Sequence, residues 1–377
     1  MKSNVADEVQ AYVMDMHTAP GSLWHAEGDR LRCVACGHRC LLADGLRGTC
    51  KVRFNRGGEL RVPWGYVAGL QSDPVEKKPF FHVLPGSDAL TFGMLGCDLH
   101  CSYCQNWFTS QTLRDAAARG NMQPTSPEQL VAVARREGSR LVVSSYNEPL
   151  ITAEWAVAVF RQAREAGLLC AFVSNGNATP EVLDFLKPWI QAYKVDLKSF
   201  SDRHYRTLGC TLESVTETIR MIHARGIWLE VVTLVIPGFN DSEAELREAA
   251  RFLASVSRDI PWHVTGFHQD YKMNDNPPTD SRALVRAAEI GAEEGLRFVY
   301  AGNRPGQVRA WENTRCPSCN ETLIERFGFL VRSYKVTPDG KCPTCQAAIP
   351  GLWPARAADV KTGDLSQYRE RLPRRVR

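Results

Sequence analysis

The sequence predicts an α/β fold arranged as a full or partial (β/α) barrel. Seven short apolar runs rich in β-branched residues recur between residues 88 and 303, and segments of helical period separate most of them. Strands that alternate with helices form a parallel sheet with right-handed crossovers. A doubly wound open sheet is the alternative, and in either fold functional groups are expected at the C-terminal ends of the strands.

Signals at the ends of the predicted helices support this alternation. Residues 126–129, Ser-Pro-Glu-Gln, have the form of a capping box with proline at the first helical position. Thr179 precedes Pro180 in the same way, without the box. Gly167 and Gly226 follow helical segments, where a left-handed residue commonly ends a helix.

Composition indicates one large domain with small appendages. The 377 residues are 44% hydrophobic and 23% charged, as in ordinary globular proteins. No apolar run approaches the roughly 20 residues that a membrane helix needs. The first ten residues contain acids and no apolar signal core. We therefore expect a cytoplasmic protein without membrane association.

The positive charge is concentrated at the C-terminal end. The net charge is +4, and residues 354–377 hold seven Lys or Arg and three Asp or Glu, which accounts for it. A nucleic-acid-binding protein usually spreads basic groups over a face of its fold. We therefore expect residues 355–377 to form a disordered basic tail and disfavour nucleic acid as a partner.

Thirteen cysteines in a cytosolic chain argue against a disulfide framework. Eleven of them fall into three groups, within residues 33–50, 97–104 and 316–345. Cys170 begins an apolar run and is predicted to be a small buried hydrophobe. Cys210 has too little context for a prediction.

The central group, Cys97, Cys101 and Cys104, has the spacing C-x3-C-x2-C directly after the first predicted barrel strand. A structural zinc site uses four ligands, and a cubane iron-sulfur cluster usually takes four cysteines. Three thiolates would leave one iron open to a substrate or cofactor. The alternative is a closed site completed by a distant Cys or His. The position at the catalytic end of the barrel favours the open cluster.

This spacing, with Tyr103 before the last cysteine, resembles the signature of the radical S-adenosylmethionine (radical SAM) superfamily. The resemblance implies a partial TIM-like barrel over residues 87–303 and a 4Fe-4S cluster on the three cysteines. It also implies that S-adenosylmethionine (SAM) chelates the fourth iron and is cleaved to methionine and a 5'-deoxyadenosyl radical, which abstracts hydrogen. An electron donor such as ferredoxin or flavodoxin is then needed.

The resemblance assigns cofactor contacts to later strand ends. Glu148 matches the acidic position of the family's segment for the methionine amino group, although Tyr146 and Asn147 replace its two glycines. Ser174 and Asn175 end the third predicted strand. There they either approach a ribose or carboxylate closely or form a simple turn.

Asp196 and Lys198 are two residues apart, so on a strand they point to the same side. Opposite charges inside a barrel need each other or a ligand. Their segment resembles the D-L-K region of glycyl-radical-enzyme activases such as the pyruvate formate-lyase activating enzyme, where both lie near the cofactor. His268 aligns with that group's histidine and is favoured over His263. Lys198 and His268 are therefore candidate catalytic residues beside the three cysteines.

Longer motifs outside the barrel, among them SDPVEKKPFFHVLPGS at residues 72–87, are similar to those of radical SAM enzymes of the AmmeMemoRadiSam system. This resemblance extends from about residue 20 to 353. It implies an activase-like radical SAM enzyme and supplies no substrate.

The C-terminal cysteines form two C-x2-C pairs separated by 22 residues, Cys316 with Cys319 and Cys342 with Cys345. Two such pairs make a tetrahedral four-sulfur site. Residues 304–354 are therefore predicted to form a structural zinc ribbon, with rubredoxin-type iron as the alternative.

The N-terminal lobe, residues 1–86, contains a third group spaced C-x2-C-x3-C-x9-C, which differs from the bacterial ferredoxin run. We expect zinc first, an auxiliary cluster second and unmetallated packing third, with His38 as a replacement ligand. The members of the group are Cys33, Cys36, Cys40 and Cys50.

The sequence thus predicts a radical SAM enzyme that acts on an unknown small molecule or protein. One alternative is an activase that installs a glycyl radical on a partner enzyme. A non-enzyme alternative is a zinc-ribbon protein that binds nucleic acid through its basic tail.

Overall fold

The computed structural model describes residues 5–376, and its N-terminal region is built from one helix and short strands. Strands β1, β6 and β5 form one antiparallel sheet, and β2, β3 and β4 form another. The elements are α1 Val5–Met16, β1 Thr18–Pro20, β2 Trp24–Glu27, β3 Arg30–Cys33, β4 Leu41–Leu42, β5 Phe54–Arg56, β6 Glu59–Pro63, β7 Tyr66–Val67 and β8 Gly69–Pro74.

Strands and helices then alternate, as the sequence predicts. The strands are β9 Asp88–Gly93, β10 Gln123–Pro124, β11 Leu141–Ser144, β12 Leu169–Ser174, β13 Ala192–Asp196, β14 Trp228–Val235, β15 Trp262–Gly266 and β16 Val299–Gly302. The helices are α2 Trp107–Ser110, α3 Pro127–Arg136, α4 Ala153–Glu165, α5 Pro180–Leu186, α6 Asp202–Leu208, α7 Leu212–Ala224, α8 Glu243–Val256 and α9 Ser281–Glu293.

Helix capping follows the predicted signals. The hydroxyl of Ser126 accepts from the backbone N–H of Gln129, and the Gln129 side chain completes the capping box at the start of α3. The hydroxyl of Thr179 accepts from the N–H of Val182 at the start of α5. These two predictions are confirmed.

One nine-stranded sheet forms the centre of the fold. Strands β9 and β11 to β16 are parallel and lie side by side in chain order, and β8 pairs antiparallel with β9. A doubly wound sheet reverses its strand order at a switch point. No such reversal occurs among the seven parallel strands, so the structure favours the partial barrel over the open-sheet alternative.

The C-terminal lobe is a three-stranded antiparallel sheet of β17 Thr314–Arg315, β18 Thr322–Phe327 and β19 Leu330–Tyr334. Its apolar core is continuous with the barrel, because Leu323 and Val331 cluster with Phe81, Phe298 and Tyr300. The lobe is therefore packed against the side of the barrel that carries β16.

The expectation of a disordered C-terminal tail is wrong. Arg371 Nη1 lies 2.8 Å and Lys361 Nζ 2.5 Å from the carboxylate of Asp88, at the start of β9. The last strand, β20 Arg374–Arg375, pairs antiparallel with β8. The physical reason is that Asp88 is largely buried and needs cations, and the basic tail supplies them.

No helix within residues 5–376 combines the length and apolar character needed to cross a bilayer.

Candidate active site

The loop after β9 carries the three central cysteines at the C-terminal edge of the sheet. A Cβ atom at Gly93 would lie 2.5 Å from the carbonyl oxygen of Ser145, so only glycine permits this approach of β9 to β11. Cys97, Cys101 and Cys104 then pack in one apolar cluster, Cys101 being buried and the other two partly exposed.

The surroundings of these thiols disfavour free thiolates. Burial raises the pKa of Cys101 to about 11, although nearby Lys198 opposes the rise. Burial also raises the pKa of Cys97, with a further contribution from Asp98, and that of Cys104. Thiolates at these positions would need a bound positive centre to stabilise them.

The three sulfurs are too far apart for one tetrahedral ion. Zinc–sulfur bonds of about 2.3 Å place two ligand sulfurs roughly 3.8 Å apart. Among residues 5–376, the four C-terminal cysteines are the only group of three or more Cys, His, Asp or Glu side chains whose ligand atoms all lie within 4.8 Å of one another. The three thiols belong to one loop, but their spacing does not suit a single metal ion. It suits a larger inorganic group, such as an iron-sulfur cluster.

Asp98, directly after the first of these cysteines, is a site residue that sequence reasoning missed. It is fully buried and accepts hydrogen bonds from Asn175 Nδ2 at 2.7 Å and Asn177 Nδ2 at 2.8 Å. These amides follow β12, so the third strand end fixes the cysteine loop. The available signal was the acid at 98 together with the paired asparagines of the segment SNGN.

Glu148 lies in the same buried network. It accepts from Ser174 Oγ and from the backbone N–H of Asn175, both at 2.7 Å. Burial, with the nearby charge of Asp98, raises its pKa to about 8. Glu148, Ser174 and Asn175 are thus brought together behind the cavity wall, and their contact with a cofactor stays a prediction.

A cavity of about 1250 Å³ lies beside the cysteine loop and gathers most of the other candidate residues. Its lining includes Cys101, Tyr103, Cys104, Asp196, Lys198 and His268. Cys97 belongs to the same loop but does not line the cavity.

Asp196 and Lys198 form a charge pair inside this cavity, with Nζ 3.6 Å from Oδ2. Lys194, which sequence reasoning missed, contacts the other oxygen of Asp196. Burial opposes the charge on Lys198, but Asp196 and the Cys101 thiol raise its pKa well above the usual value. Lys198 is therefore a cation beside the cysteine loop.

The two candidate histidines lie in different surroundings. His268 is exposed at the rim, where its Nε2 lies 2.9 Å from Gln105 Nε2. His263 is buried and also lines the cavity, with Nε2 2.7 Å from Glu230.

Tyr103, the aromatic residue before the last cysteine of the loop, packs edge to face on Phe239.

The C-terminal cysteines form a compact four-sulfur set that could hold a metal ion. Cys316 Sγ lies 3.5 Å from Cys345 Sγ, and Cys319 Sγ lies 3.6 Å from Cys342 Sγ. These separations match the spacing that a tetrahedral ion imposes, about 3.8 Å.

The N-terminal cysteines are not gathered in this way. Cys33, Cys36 and Cys50 are buried, whereas the Cys40 sulfur accepts from the backbone N–H of Thr49 at 3.4 Å. The lobe nevertheless contacts the site, because His38 Nε2 lies 3.1 Å from the carbonyl oxygen of Asp98. Metal binding by this group stays a prediction.

Comparison with known proteins agrees with the site. A family model described as the radical SAM superfamily matches residues 92–253, which include the cysteine loop. An uncharacterized protein of Methanocaldococcus jannaschii is 35% identical over 326 residues, covering 86% of this chain and 96% of that protein. The chain belongs to the radical SAM superfamily. Membership makes it an enzyme of the radical SAM class and implies a 4Fe-4S cluster and SAM.

Among relatives with a named activity, the isethionate sulfite-lyase activating enzyme of Oleidesulfovibrio alaskensis is 31% identical over 137 residues. This match covers 35% of the present chain and 44% of that enzyme. A crystal structure of a radical SAM methyltransferase from Sphaerobacter thermophilus aligns with a TM-score of 0.46 at 15% identity, over 76% of this chain and 78% of that one.

Proposed function

We propose that the protein cleaves SAM reductively in the cavity beside the cysteine loop and abstracts hydrogen from a substrate in the same cavity. The main support is that Cys101, Cys104 and the Asp196–Lys198 pair line one cavity of about 1250 Å³. Single-ligand pockets usually measure roughly 300–1,000 Å³. The cavity is therefore large enough for SAM and a second molecule.

In this proposal Cys97, Cys101 and Cys104 hold a 4Fe-4S cluster, which when bound supplies one-electron reduction of the SAM sulfonium. The electron comes from a donor such as ferredoxin or flavodoxin. SAM bound there would lose methionine as its C5'–S bond breaks, and the 5'-deoxyadenosyl radical would take a hydrogen atom from the substrate, leaving 5'-deoxyadenosine and a substrate radical. The protein's own groups position the reactants and exclude water.

Each cavity residue has a role that follows from its contacts. Lys198 keeps a positive charge beside Cys101 and so favours the thiolate. Asp196, shared between Lys194 and Lys198, is ionised and offers oxygens to an ammonium or hydroxyl group. Tyr103 gives the cavity an apolar wall, and His268 at the rim is placed to meet a ligand as it enters.

The buried network behind the wall positions these groups. Glu148 holds the backbone of Asn175, and Asn175 holds Asp98 next to the first cysteine. In this proposal the Glu148 carboxyl also contacts the amino group of SAM, aided by Ser174. An ammonium within reach would lower the raised pKa of Glu148 and stabilise its ionised form.

The test is anaerobic reconstitution, reduction with dithionite and measurement of 5'-deoxyadenosine by mass spectrometry. We expect product from the wild-type protein and from Cys170→Ala, and none from Cys101→Ala. Cys170 is a buried cysteine near the start of β12, in a different apolar cluster from the three loop cysteines, and serves as the matched control. A fully loaded wild-type protein that forms no 5'-deoxyadenosine would overturn the proposal.

A second candidate function is installation of a glycyl radical on a partner enzyme. It is supported by the similarity to enzymes named as activating enzymes, including the pyruvate formate-lyase-activating enzyme of Clostridium pasteurianum. The discriminating measurement is the electron paramagnetic resonance signal of a glycyl radical after mixing with a glycyl-radical enzyme encoded nearby. Its absence, with 5'-deoxyadenosine still formed on another substrate, favours the first candidate.

For the C-terminal lobe we propose a structural zinc ion on Cys316, Cys319, Cys342 and Cys345. The support is that the four sulfurs converge without leaving a ligand position for a substrate.

A further inference from the structure

We infer that the substrate is an anion whose acidic group binds between Lys78 and Lys194. This inference rests on the proposed function, because the same cavity must hold SAM next to Cys101. Lys194 precedes Asp196 on β13 by two residues, which places it about 6.6 Å deeper in the barrel. The backbone of Lys194 thus lies deeper than that of Lys198, its ammonium contacts Asp196, and Lys78 lines the same cavity.

Lys78 belongs to a group with more cations than anions. Asp73 on β8 is buried and contacts the ammonium groups of both Lys77, at 2.9 Å, and Lys78. Both lysines line the cavity. Tyr146 Oη donates to the same carboxylate at 2.5 Å. One carboxylate therefore serves two lysines, which leaves an excess positive charge on this wall.

The group on β13 has the same composition. Asp196 contacts Lys194 through one oxygen and Lys198, at 3.6 Å, through the other. Again one carboxylate serves two lysines. The two groups together place four ammonium groups and two carboxylates around one cavity.

Burial makes this excess costly. The side chains of Lys78 and Lys194 are 3% and 6% exposed. Burial lowers the pKa of Lys78 to about 8 despite Asp73, and the charges of Lys77 and Lys194 lower it further. An uncompensated charge is expensive to bury, so a bound anion would stabilise both lysines in their charged forms.

The other acids of the lining do not offset the excess. Glu76 accepts from the N–H of Gly86 and lies 3.9 Å from buried Arg326. Glu312 accepts from the N–H groups of two glycines in and beside the C-terminal lobe. Arg119 and Arg375 also line the cavity and add positive charge.

His263 adds a second element of recognition. Its Nε2–H donates to Glu230, whose carboxylate also accepts the backbone N–H groups of Phe81 and His82 at 2.9 Å. Burial lowers the pKa of His263, so the ring is neutral and Nδ1 is an acceptor. No residue within 5–376 donates to Nδ1. An acid that also carries a hydrogen-bond donor, such as an amino or hydroxy acid, would have a partner here in addition to the two lysines.

The experiment measures binding of malonate and of inorganic phosphate by calorimetry at constant ionic strength, without SAM and with saturating SAM. We expect both probes to bind the wild-type full chain, and Lys78→Met and Lys194→Met to weaken binding about tenfold or more, because each removes a charge-assisted contact. Lys78→Arg should stay near the wild type. Lys187→Met, on the exposed end of α5, is the matched control.

Binding of malonate alone identifies a carboxylate subsite, and binding of phosphate alone identifies a phosphate subsite. Either outcome supports the inference. Equal binding by Lys78→Met, Lys194→Met and Lys187→Met overturns it, as does complete loss of probe binding when SAM is present, because the lysines would then hold the cofactor's own carboxylate. If 5'-deoxyadenosine forms but neither probe binds, this inference fails alone. If a probe binds with the expected lysine dependence but no 5'-deoxyadenosine forms, the proposed function fails alone.

Discussion

Asn175 Nδ2 donates to Asp98 Oδ1 across 2.7 Å, and this bond ties the end of the third barrel strand to the first cysteine of the loop. Because Asp98 is fully buried, each of its hydrogen bonds offsets part of the cost of desolvating the carboxylate.

Replacing Asn175 with alanine should destabilise this junction. Removing one partner of a buried charged group costs about 1–3 kcal/mol. We expect the free energy of unfolding, measured in urea, to fall by that amount. We also expect the variant to hold less iron than the wild type after reconstitution. Asn274→Ala removes an exposed asparagine amide and should change neither quantity. Equal behaviour of the two variants would contradict the role of the Asn175 side chain.

Replacing Cys319 with serine should remove one metal ion from the C-terminal lobe and leave the barrel cluster intact. The reason is that Cys319 belongs to the only closely gathered four-sulfur set within residues 5–376. Elemental analysis should show about one zinc ion fewer per chain than in the wild type at unchanged iron, and the thermal midpoint should fall. Cys170→Ala should retain zinc. A zinc content of Cys319→Ser equal to that of the wild type, or a loss of iron together with the zinc, would count against a separate C-terminal site.

Stability should fall in mild acid because His82 is buried as a neutral ring. Burial lowers its pKa from 6.5 to about 4, and the ring lies 2.6 Å from the carbonyl oxygen of Pro350 and 2.6 Å from Tyr300 Oη. The unfolded chain binds the proton first, so the contribution is complete above pH 6.5 and is lost as the pH falls toward 4.

The slope due to His82 approaches about 1.4 kcal/mol per pH unit within that window. His82→Gln should flatten the dependence of the unfolding free energy on pH between 6.5 and 4. His25→Gln, at an exposed position, should keep the wild-type slope. Parallel curves for the wild type and His82→Gln would refute this assignment.

Replacing Arg371 with alanine should destabilise the fold by about 1–3 kcal/mol, because Asp88 would lose one of its two cations. Arg369→Ala, two residues earlier and exposed, should stay within about 0.5 kcal/mol of the wild type. Urea unfolding of both variants provides the measurement. An unchanged free energy of unfolding in Arg371→Ala would mean that the contact between the tail and Asp88 contributes no stability.

The barrel and the cysteine loop could be predicted because their signals are local. Alternating apolar runs and capping residues define the strands and helices, and the strand ends place Asp196 and Lys198 at one edge. Lys194 has the same two-residue spacing and could have been found from the segment KVDLK.

The rest depended on contacts that no local pattern contains. Lys78 lies before the barrel in sequence and reaches the cavity only because β8 pairs antiparallel with β9. The buried surroundings of Glu148 arise from the neighbouring strand end of β12. The prediction of a disordered tail came from charge composition, which cannot reveal that Asp88 is buried and needs a cation.

The pairing of β20 with β8 has a practical consequence for work with this protein. Arg375 and Val376 line the cavity, so the last described residues stand at its opening. An affinity tag joined after them would emerge beside the cavity, where it would hinder a macromolecule more than a metabolite. Assays that compare protein and small-molecule substrates should therefore use a chain whose purification handle has been placed elsewhere or cleaved off.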